Sequence, residues 1–132
     1  MVKKLCIIDD DDLYKLLLKK SVDNLGSNVE ILTYPNGEEA FIELSKFKNS
    51  PDLLPDLILL DINMPIMDGW EFMEQFVNTK NQFKKNITIY IASSSIAKQD
   101  IEKSKTYPEI SGYIVKPILK DTVANLLLRK AV

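Results

Sequence analysis

The chain has 132 residues, 45% of them hydrophobic and 27% charged, which is the balance of a single globular domain over residues 1–132. The formal net charge of -2 gives no support for a surface that binds nucleic acid or a membrane, and the N-terminal apolar run at residues 5–8 is far too short for a signal peptide or a membrane span. The one cysteine, Cys6, lies in an apolar run and cannot form an internal disulfide. Since the chain has no histidine to activate this thiol, we expect it to be buried in a reducing, cytoplasmic protein.

Five apolar runs predict the strands of a sheet, and a pattern of helical period follows each of them. The strands are predicted at residues 2–8, 29–34, 57–60, 87–92 and 112–115. The third run is wholly apolar, which is typical of a strand buried on both faces of a parallel sheet. Five strand-then-helix units therefore predict an α/β fold, in which helices cover both faces of a parallel sheet.

The helices are predicted from apolar spacing and from the residues that bound them. The first follows four aspartates, of which Asp11 and Asp12 are predicted caps, and it is predicted to stop at Gly26. Its repeat is formed by Leu13, Leu16, Leu17 and Val22. The second and third open after turns rich in Pro, Asn, Asp and Gly. The fourth, over residues 97–105, is poorly amphipathic, and the last carries Leu119, Val123, Leu126 and Leu127.

Reactive side chains follow four of the strands at the point where each strand ends. Asp9 and Asp10 follow the first, Asp61 the third, Ser93 the fourth and Lys116 the fifth. Because the carboxyl ends of parallel strands meet at one edge of the sheet, we expect these five groups to converge there.

Converging carboxylates need a counter-charge. Two of them about 4 Å apart repel by roughly 4 kcal/mol at an effective dielectric of about 20. A divalent cation relieves this repulsion, and an all-oxygen set of ligands suits Mg²⁺. A carboxylate, a hard metal, the Lys116 ammonium and the Ser93 hydroxyl together predict a phosphoryl-transfer site, with Asp61 as the nucleophile. The sequence has no glycine-rich phosphate loop, so we expect no nucleotide bound by that route.

Four segments in chain order resemble the response-regulator receiver domains of bacterial two-component signalling. They are residues 7–10 (IIDD), residues 60–69 (LDINMPIMDG), Ser93, and residues 112–117 (GYIVKP). The resemblance covers essentially the whole chain and is specific because all four occur together at strand ends. It implies a flavodoxin-like, doubly wound (βα)5 fold with five parallel strands in the order 2-1-3-4-5.

The resemblance also implies roles for the residues at the acidic edge. Asp61 would be the phospho-acceptor. Asp10 and Asp61 would ligate Mg²⁺ directly, the backbone carbonyl of Asn63 would complete the protein ligands, and Asp9 would act through water.

Three further residues take roles from the same resemblance. Lys116 would contact the phosphoryl group, and the Lys116–Pro117 bond would be cis. Ser93 and Tyr113 would form a switch pair. A phosphoryl group would draw the Ser93 hydroxyl inward, and the Tyr113 ring would turn into the space that the hydroxyl leaves.

By this resemblance the chain is a signalling switch that catalyses its own phosphorylation and slow dephosphorylation. The phosphodonor would be a sensor histidine kinase or a histidine phosphotransfer protein. The output would be a change in the surface formed by the fourth helix, the fifth strand and the fifth helix, which a downstream protein target would read. By the same resemblance, Asn63 and Ser95 would stand at positions that tune dephosphorylation.

Other interpretations remain open at this point. Within the receiver family, a stand-alone chemotaxis-type regulator competes with a phosphorelay intermediate and with a degenerate receiver that only binds proteins. A haloacid-dehalogenase-like phosphatase also uses an aspartyl nucleophile after a strand, but it needs a second acid two residues later. Asn63 stands at that position and cannot donate a proton as an acid would.

Overall fold

The computed structural model describes residues 3–24 and 28–128, and in these ranges five strands alternate with five helices. The elements are β1 (Lys3–Ile8), α1 (Asp12–Asp23), β2 (Val29–Tyr34), α2 (Gly37–Lys46), β3 (Leu57–Leu60), α3 (Gly69–Thr79), β4 (Thr88–Ser93), α4 (Lys98–Ser104), β5 (Ile110–Val115) and α5 (Lys120–Leu128). Short 3-10 helices lie at Pro51–Leu53 and Lys80–Gln82. Among the described residues, none of the helices is long and apolar enough to cross a membrane.

The strands form one parallel sheet in the order β2-β1-β3-β4-β5, which confirms the predicted fold class and strand order. β3 lies at its centre, and all four of its residues are buried. Alternate side chains of a strand point to opposite faces. Ile58 and Leu60 therefore join the core beneath α2 and α3, while Leu57 and Leu59 join the core beneath α1 and α5.

The buried stripe of α1 differs from the repeat that the sequence suggested. Leu13, Leu16 and Leu17 are 64%, 49% and 55% exposed, whereas Leu18 and Val22 are buried. Tyr14 packs against the same cluster, so the inner stripe is Tyr14, Leu18 and Val22 at intervals of four residues. The leucine run offers more than one stripe of helical period, and packing against the sheet selects among them.

The boundaries follow hydrogen bonding more closely than hydrophobicity. Asp11 caps α1 by accepting the backbone N–H of Tyr14 at 3.0 Å, as predicted, while Asp12 lies in the first turn. β5 begins at Ile110, two residues before its predicted start, because it pairs with β4 from there. The predicted helix stop at Gly26 and the predicted first strand residue, Val2, lie outside the described residues.

The loop between β3 and α3 holds a residue in a strained conformation. Ile66 has a φ of 71° and is 72% exposed. A β-branched side chain rarely adopts the left-handed region, which asparagine tolerates much better. The loop is also tightly closed, since a Cβ added to Gly69 would lie 2.3 Å from the backbone oxygen of Asp61.

Replacing Ile66 with Asn should therefore stabilise the protein. We expect Ile66→Asn to raise the free energy of unfolding by about 1 kcal/mol, since asparagine relieves the strain and little apolar surface is lost. Urea denaturation measures the change. Ile96→Asn is the matched control, because Ile96 is 76% exposed and has no positive φ. Equal effects of the two substitutions would contradict the assignment of strain to Ile66.

Candidate functional site

The backbone of the site continues the hydrogen-bond ladder of the sheet by one residue past the strands. The amide of Asp9 donates to the carbonyl of Tyr34 at 3.0 Å, and the amide of Asp61 donates to the carbonyl of Ile8 at 2.9 Å. The amide of Lys116 donates to the carbonyl of Ser93 at 2.9 Å. The sheet therefore fixes where each of these side chains begins.

Three carboxylates meet at this edge. Carboxylate oxygens of Asp9, Asp10 and Asp61 lie within 4.8 Å of one another. Asp9 and Asp61 are buried, whereas Asp10 is exposed to solvent. One oxygen of Asp9 accepts the N–H of Asp11 at 2.9 Å, and one oxygen of Asp61 accepts the N–H of Ile62 at 2.8 Å. The arrangement confirms that these aspartates converge.

The pKa of Asp61 reflects this crowding. Burial is the largest cause, followed by the charge of Asp9, and together with Asp10 they raise the pKa to about 6. Lys116 and the hydrogen bond from the N–H of Ile62 act in the opposite direction. At neutral pH, which is above this pKa, Asp61 is mostly ionised.

Lys116 supplies the positive charge of the site. Its ammonium forms a salt bridge with Asp9 and lies 3.7 Å from an oxygen of Asp61. It also lies 4.2 Å from the ring centroid of Tyr14, a residue that the sequence did not single out. The cis Lys116–Pro117 bond is present as expected.

The donor set fits a divalent cation. Three carboxylates against one ammonium leave two negative charges among these four groups. Every acidic ligand offers oxygen, which Mg²⁺ prefers, and a cation would relieve the repulsion that raises the pKa of Asp61. Asn63 lies two residues beyond Asp61 on the same loop and is exposed.

Ser93 and Tyr113 are connected through the backbone of Ser95. The buried Ser93 hydroxyl accepts the N–H of Ser95 at 3.1 Å, and the Tyr113 hydroxyl donates to the carbonyl of Ser95 at 2.8 Å. The Ser95 hydroxyl donates in turn to Asp100 of α4 at 2.7 Å. The two residues predicted to form a switch pair therefore both bond to the backbone of Ser95.

A second set of contacts joins α3 to α4 and to the loop that follows α4, and sequence reasoning missed it. Trp70 stacks on Tyr107 with ring centroids 6.0 Å apart, and the Lys103 ammonium lies 5.1 Å from the Trp70 ring centroid. Ser104 is the only buried residue of α4, which agrees with its weak amphipathic pattern. These contacts join residues more than 30 positions apart in sequence, so no local sequence pattern predicts them.

Other reactive or concave features lie away from this site. Cys6 is buried, and burial raises the pKa of its thiol, as expected for a core cysteine. A cleft of about 520 Å³ lies at the opposite edge of the sheet, between the end of α3 and the start of β5. Its two lysines, Lys80 and Lys85, already pair with Glu109 and Asp56.

Comparisons with known proteins agree with this geometry. A family model described as the response regulator receiver domain matches residues 5–128. The sensor histidine kinase CheAY of Helicobacter pylori is 32% identical over 122 residues, which cover 92% of this chain and 14% of that protein. The chemotaxis protein CheY of Halobacterium salinarum is 28% identical over 130 residues, which cover 96% of this chain and 95% of that protein. The solved structure of a two component response regulator from Cytophaga hutchinsonii matches with a TM-score of 0.81 at 27% identity, and the match covers 95% of this chain and 93% of that one.

The parallel fold and its acidic edge are those of a two-component signalling domain. Because one family matches the chain over nearly its whole length, the chain belongs to the response regulator receiver domains. The chain spans a small part of the CheAY kinase and nearly all of CheY. The haloacid-dehalogenase alternative finds no support.

Removing the Asp61 charge should stabilise the folded protein in a pH-dependent way. The pKa of Asp61 is about 6 in the folded protein, against an ordinary value of 3.8, so the folded protein binds this proton more tightly than the unfolded chain. The free energy of unfolding therefore falls as the pH rises from about 4 to about 6, and it stays lower above that range. In EDTA, we expect Asp61→Asn to raise the free energy of unfolding by about 1–2 kcal/mol at pH 7.5 and to leave it almost unchanged near pH 4. Thermal or urea unfolding across this pH range measures the gain.

The matched control is Asp52→Asn, which removes an exposed carboxylate far from the site. We expect it to change stability little at either pH. A gain from Asp61→Asn that stayed constant between the two pH values, or a loss at pH 7.5, would contradict the electrostatic account.

Proposed function

We propose that this receiver domain accepts a phosphoryl group on Asp61 from a phosphohistidine of a partner kinase or histidine phosphotransfer protein. The observation that carries the proposal is the position of Asp61 within 4.8 Å of the other two carboxylates and 3.7 Å from the Lys116 ammonium. A carboxylate that faces both an acidic cluster and a fixed cation is suited to phosphoryl transfer.

In this proposal, Asp61, Lys116 and Ser93 have different roles in phosphoryl transfer. A carboxylate oxygen of Asp61 attacks phosphorus, an acyl phosphate forms, and the nitrogen–phosphorus bond breaks with its electron pair leaving on the partner's imidazole. Lys116 contacts the oxygens of the transferred group, and the Ser93 hydroxyl donates a hydrogen bond to them.

The same proposal assigns the ligands of Mg²⁺. Asp10, Asp61 and the backbone carbonyl of Asn63 would hold the ion directly, and Asp9 would act through water. The exposure of Asp10 supports this division, because Asp9 is already buried against Lys116 and the N–H of Asp11. When bound, Mg²⁺ supplies positive charge against the transferring phosphoryl group.

Exposed apolar side chains near this edge support a protein as the phosphodonor. Leu13 at the start of α1 and Leu119 before α5 are 64% and 68% exposed, and Ile66 and Ile96 lie exposed in the loops after β3 and β4. Apolar side chains grouped around a reactive group are typical of a protein-binding surface. A partner helix that packed there would bring its histidine to Asp61.

Phosphorylation should require Asp61 and Mg²⁺. Incubation with a small-molecule phosphodonor and Mg²⁺, followed by intact mass measurement, should show one phosphoryl adduct on the parent protein. EDTA should abolish the adduct, and Asp61→Asn should not form it, because the nucleophile is gone. Asp52→Asn should form it at the parent rate. A folded parent that bound Mg²⁺ and gained no adduct would instead indicate a module that only binds proteins.

The output surface should respond through Ser93. Trp70 is the only tryptophan, and its ring contacts Lys103 of α4, so its fluorescence reports on the position of α4. We expect phosphorylation to change the emission of the parent protein. In Ser93→Ala, the acyl phosphate should form at least about tenfold more slowly, and its formation should leave the emission unchanged.

The control for this experiment is the mass of each sample, which separates slow phosphorylation from a failed response. Tyr113→Phe keeps the ring and removes only the hydrogen bond to the carbonyl of Ser95. It should form the acyl phosphate normally with a reduced change in emission. If fully phosphorylated Ser93→Ala gave the emission change of the parent, the proposed coupling would be wrong.

A further inference from the structure

Tyr14 is held rigidly beside the acidic edge by contacts on two sides. Its backbone N–H donates to the Asp11 carboxylate at 3.0 Å, in the cap of α1. Its ring packs against the core cluster beneath α1 and α5, four residues before the buried Leu18. The helix start therefore anchors the backbone of Tyr14, and the core packs against its ring.

The face of this ring is occupied by Lys116. The ammonium nitrogen lies 4.2 Å from the ring centroid, well inside the range of a cation–π contact. The same nitrogen bridges Asp9 and Asp61. Lys116 has a flexible stem of four carbons, so the ring restricts a charge that would otherwise sample many positions.

An aromatic ring suits this task better than a further carboxylate would. The ring attracts the ammonium through its quadrupole but carries no net charge, so it leaves the positive charge available to an incoming phosphoryl oxygen. The attraction is also weak enough for the ammonium to shift by a small distance toward the transferred group.

The hydroxyl of Tyr14 takes no part in the contact with Lys116. It is buried, and in the ranges 3–24 and 28–128 it has no hydrogen-bond partner. Burial is the largest cause that raises its pKa, followed by the charges of Asp9, Asp61 and Asp11, so the hydroxyl stays neutral. The ring, and not the hydroxyl, is the part of Tyr14 that touches a site residue.

We propose that Tyr14 is a positioning residue for phosphoryl transfer, and that its ring holds the Lys116 ammonium between Asp9 and Asp61. The inference rests on the proposed role of Asp61 as phospho-acceptor, and it adds a residue that acts through Lys116. It predicts that an aromatic ring at position 14 raises the rate of phosphoryl transfer, whereas a hydroxyl there does not.

The test compares Tyr14→Phe, which keeps the ring, with Tyr14→Leu and Tyr14→Met, which remove it. At saturating Mg²⁺ and with a small-molecule phosphodonor, Tyr14→Phe should form the acyl phosphate within about twofold of the parent rate. The Leu and Met variants should form it about fivefold more slowly, because the loss of one cation–π contact raises the barrier by about 1 kcal/mol. Tyr107→Leu is the control for the loss of a half-buried tyrosine ring elsewhere, and it should keep the parent rate.

Two further readouts separate positioning from a loss of structure. Mg²⁺ affinity, measured by calorimetry, should stay within about twofold in all variants, because none of the proposed ligands is changed. The ε-protons of Lys116 lie near the ring face, so their NMR signals should be shifted upfield in the parent and in Tyr14→Phe. The signals should return toward ordinary lysine values in the Leu and Met variants.

The outcomes distinguish this inference from the proposed function. Folded Leu and Met variants with the parent rate, or a Phe variant as slow as the Leu variant, would overturn the positioning role. If no variant and not even the parent formed an acyl phosphate, the proposed function would fail. The NMR shifts of Lys116 would then still decide whether the ring holds the ammonium.

Discussion

The site depends on a parallel hydrogen-bond ladder that runs one residue beyond the apolar strands. The amides of Asp9, Asp61 and Lys116 each donate to a carbonyl of the neighbouring strand, so the sheet places opposite charges at one edge. Parallel strands all end at the same edge, and the residue that follows each apolar run is therefore brought to a common point. The backbone sets the geometry, and the side chains add the chemistry.

This placement is unfavourable for stability and favourable for phosphoryl transfer. Burial and the charge of Asp9 raise the pKa of Asp61 to about 6, which is the sign of a carboxylate held against its electrostatic preference. A single ammonium, that of Lys116, is shared between Asp9 and Asp61 and cannot compensate both. Functional sites commonly retain such conflicts, because the groups are placed for an incoming ligand and not for the folded state alone.

The sequence predicted the sheet and the acidic edge, because both follow from local patterns. Short apolar runs that end on charged residues mark where strands stop, and the parallel arrangement then brings Asp61 and Lys116 together. The buried stripe of α1 was not predictable in the same way, since leucines at 16, 17 and 18 all fit a helical period. Only packing against the sheet selects Leu18, and with it the ring of Tyr14 beside Lys116.

The contacts of α4 suggest why this part of the fold is suited to carry a signal. α4 buries only Ser104, and it is held at one end by Asp100 on the Ser95 hydroxyl and at the other by Lys103 on Trp70. Elements with few buried apolar contacts are the ones that rearrange at low cost in free energy. Ser95 also carries the carbonyl that binds Tyr113 and the N–H that binds the Ser93 hydroxyl. The proposed displacement of Ser93 toward Asp61 would act on the segment that anchors both Tyr113 and α4, so a small movement at the acidic edge would be passed to α4 through hydrogen bonds of Ser95.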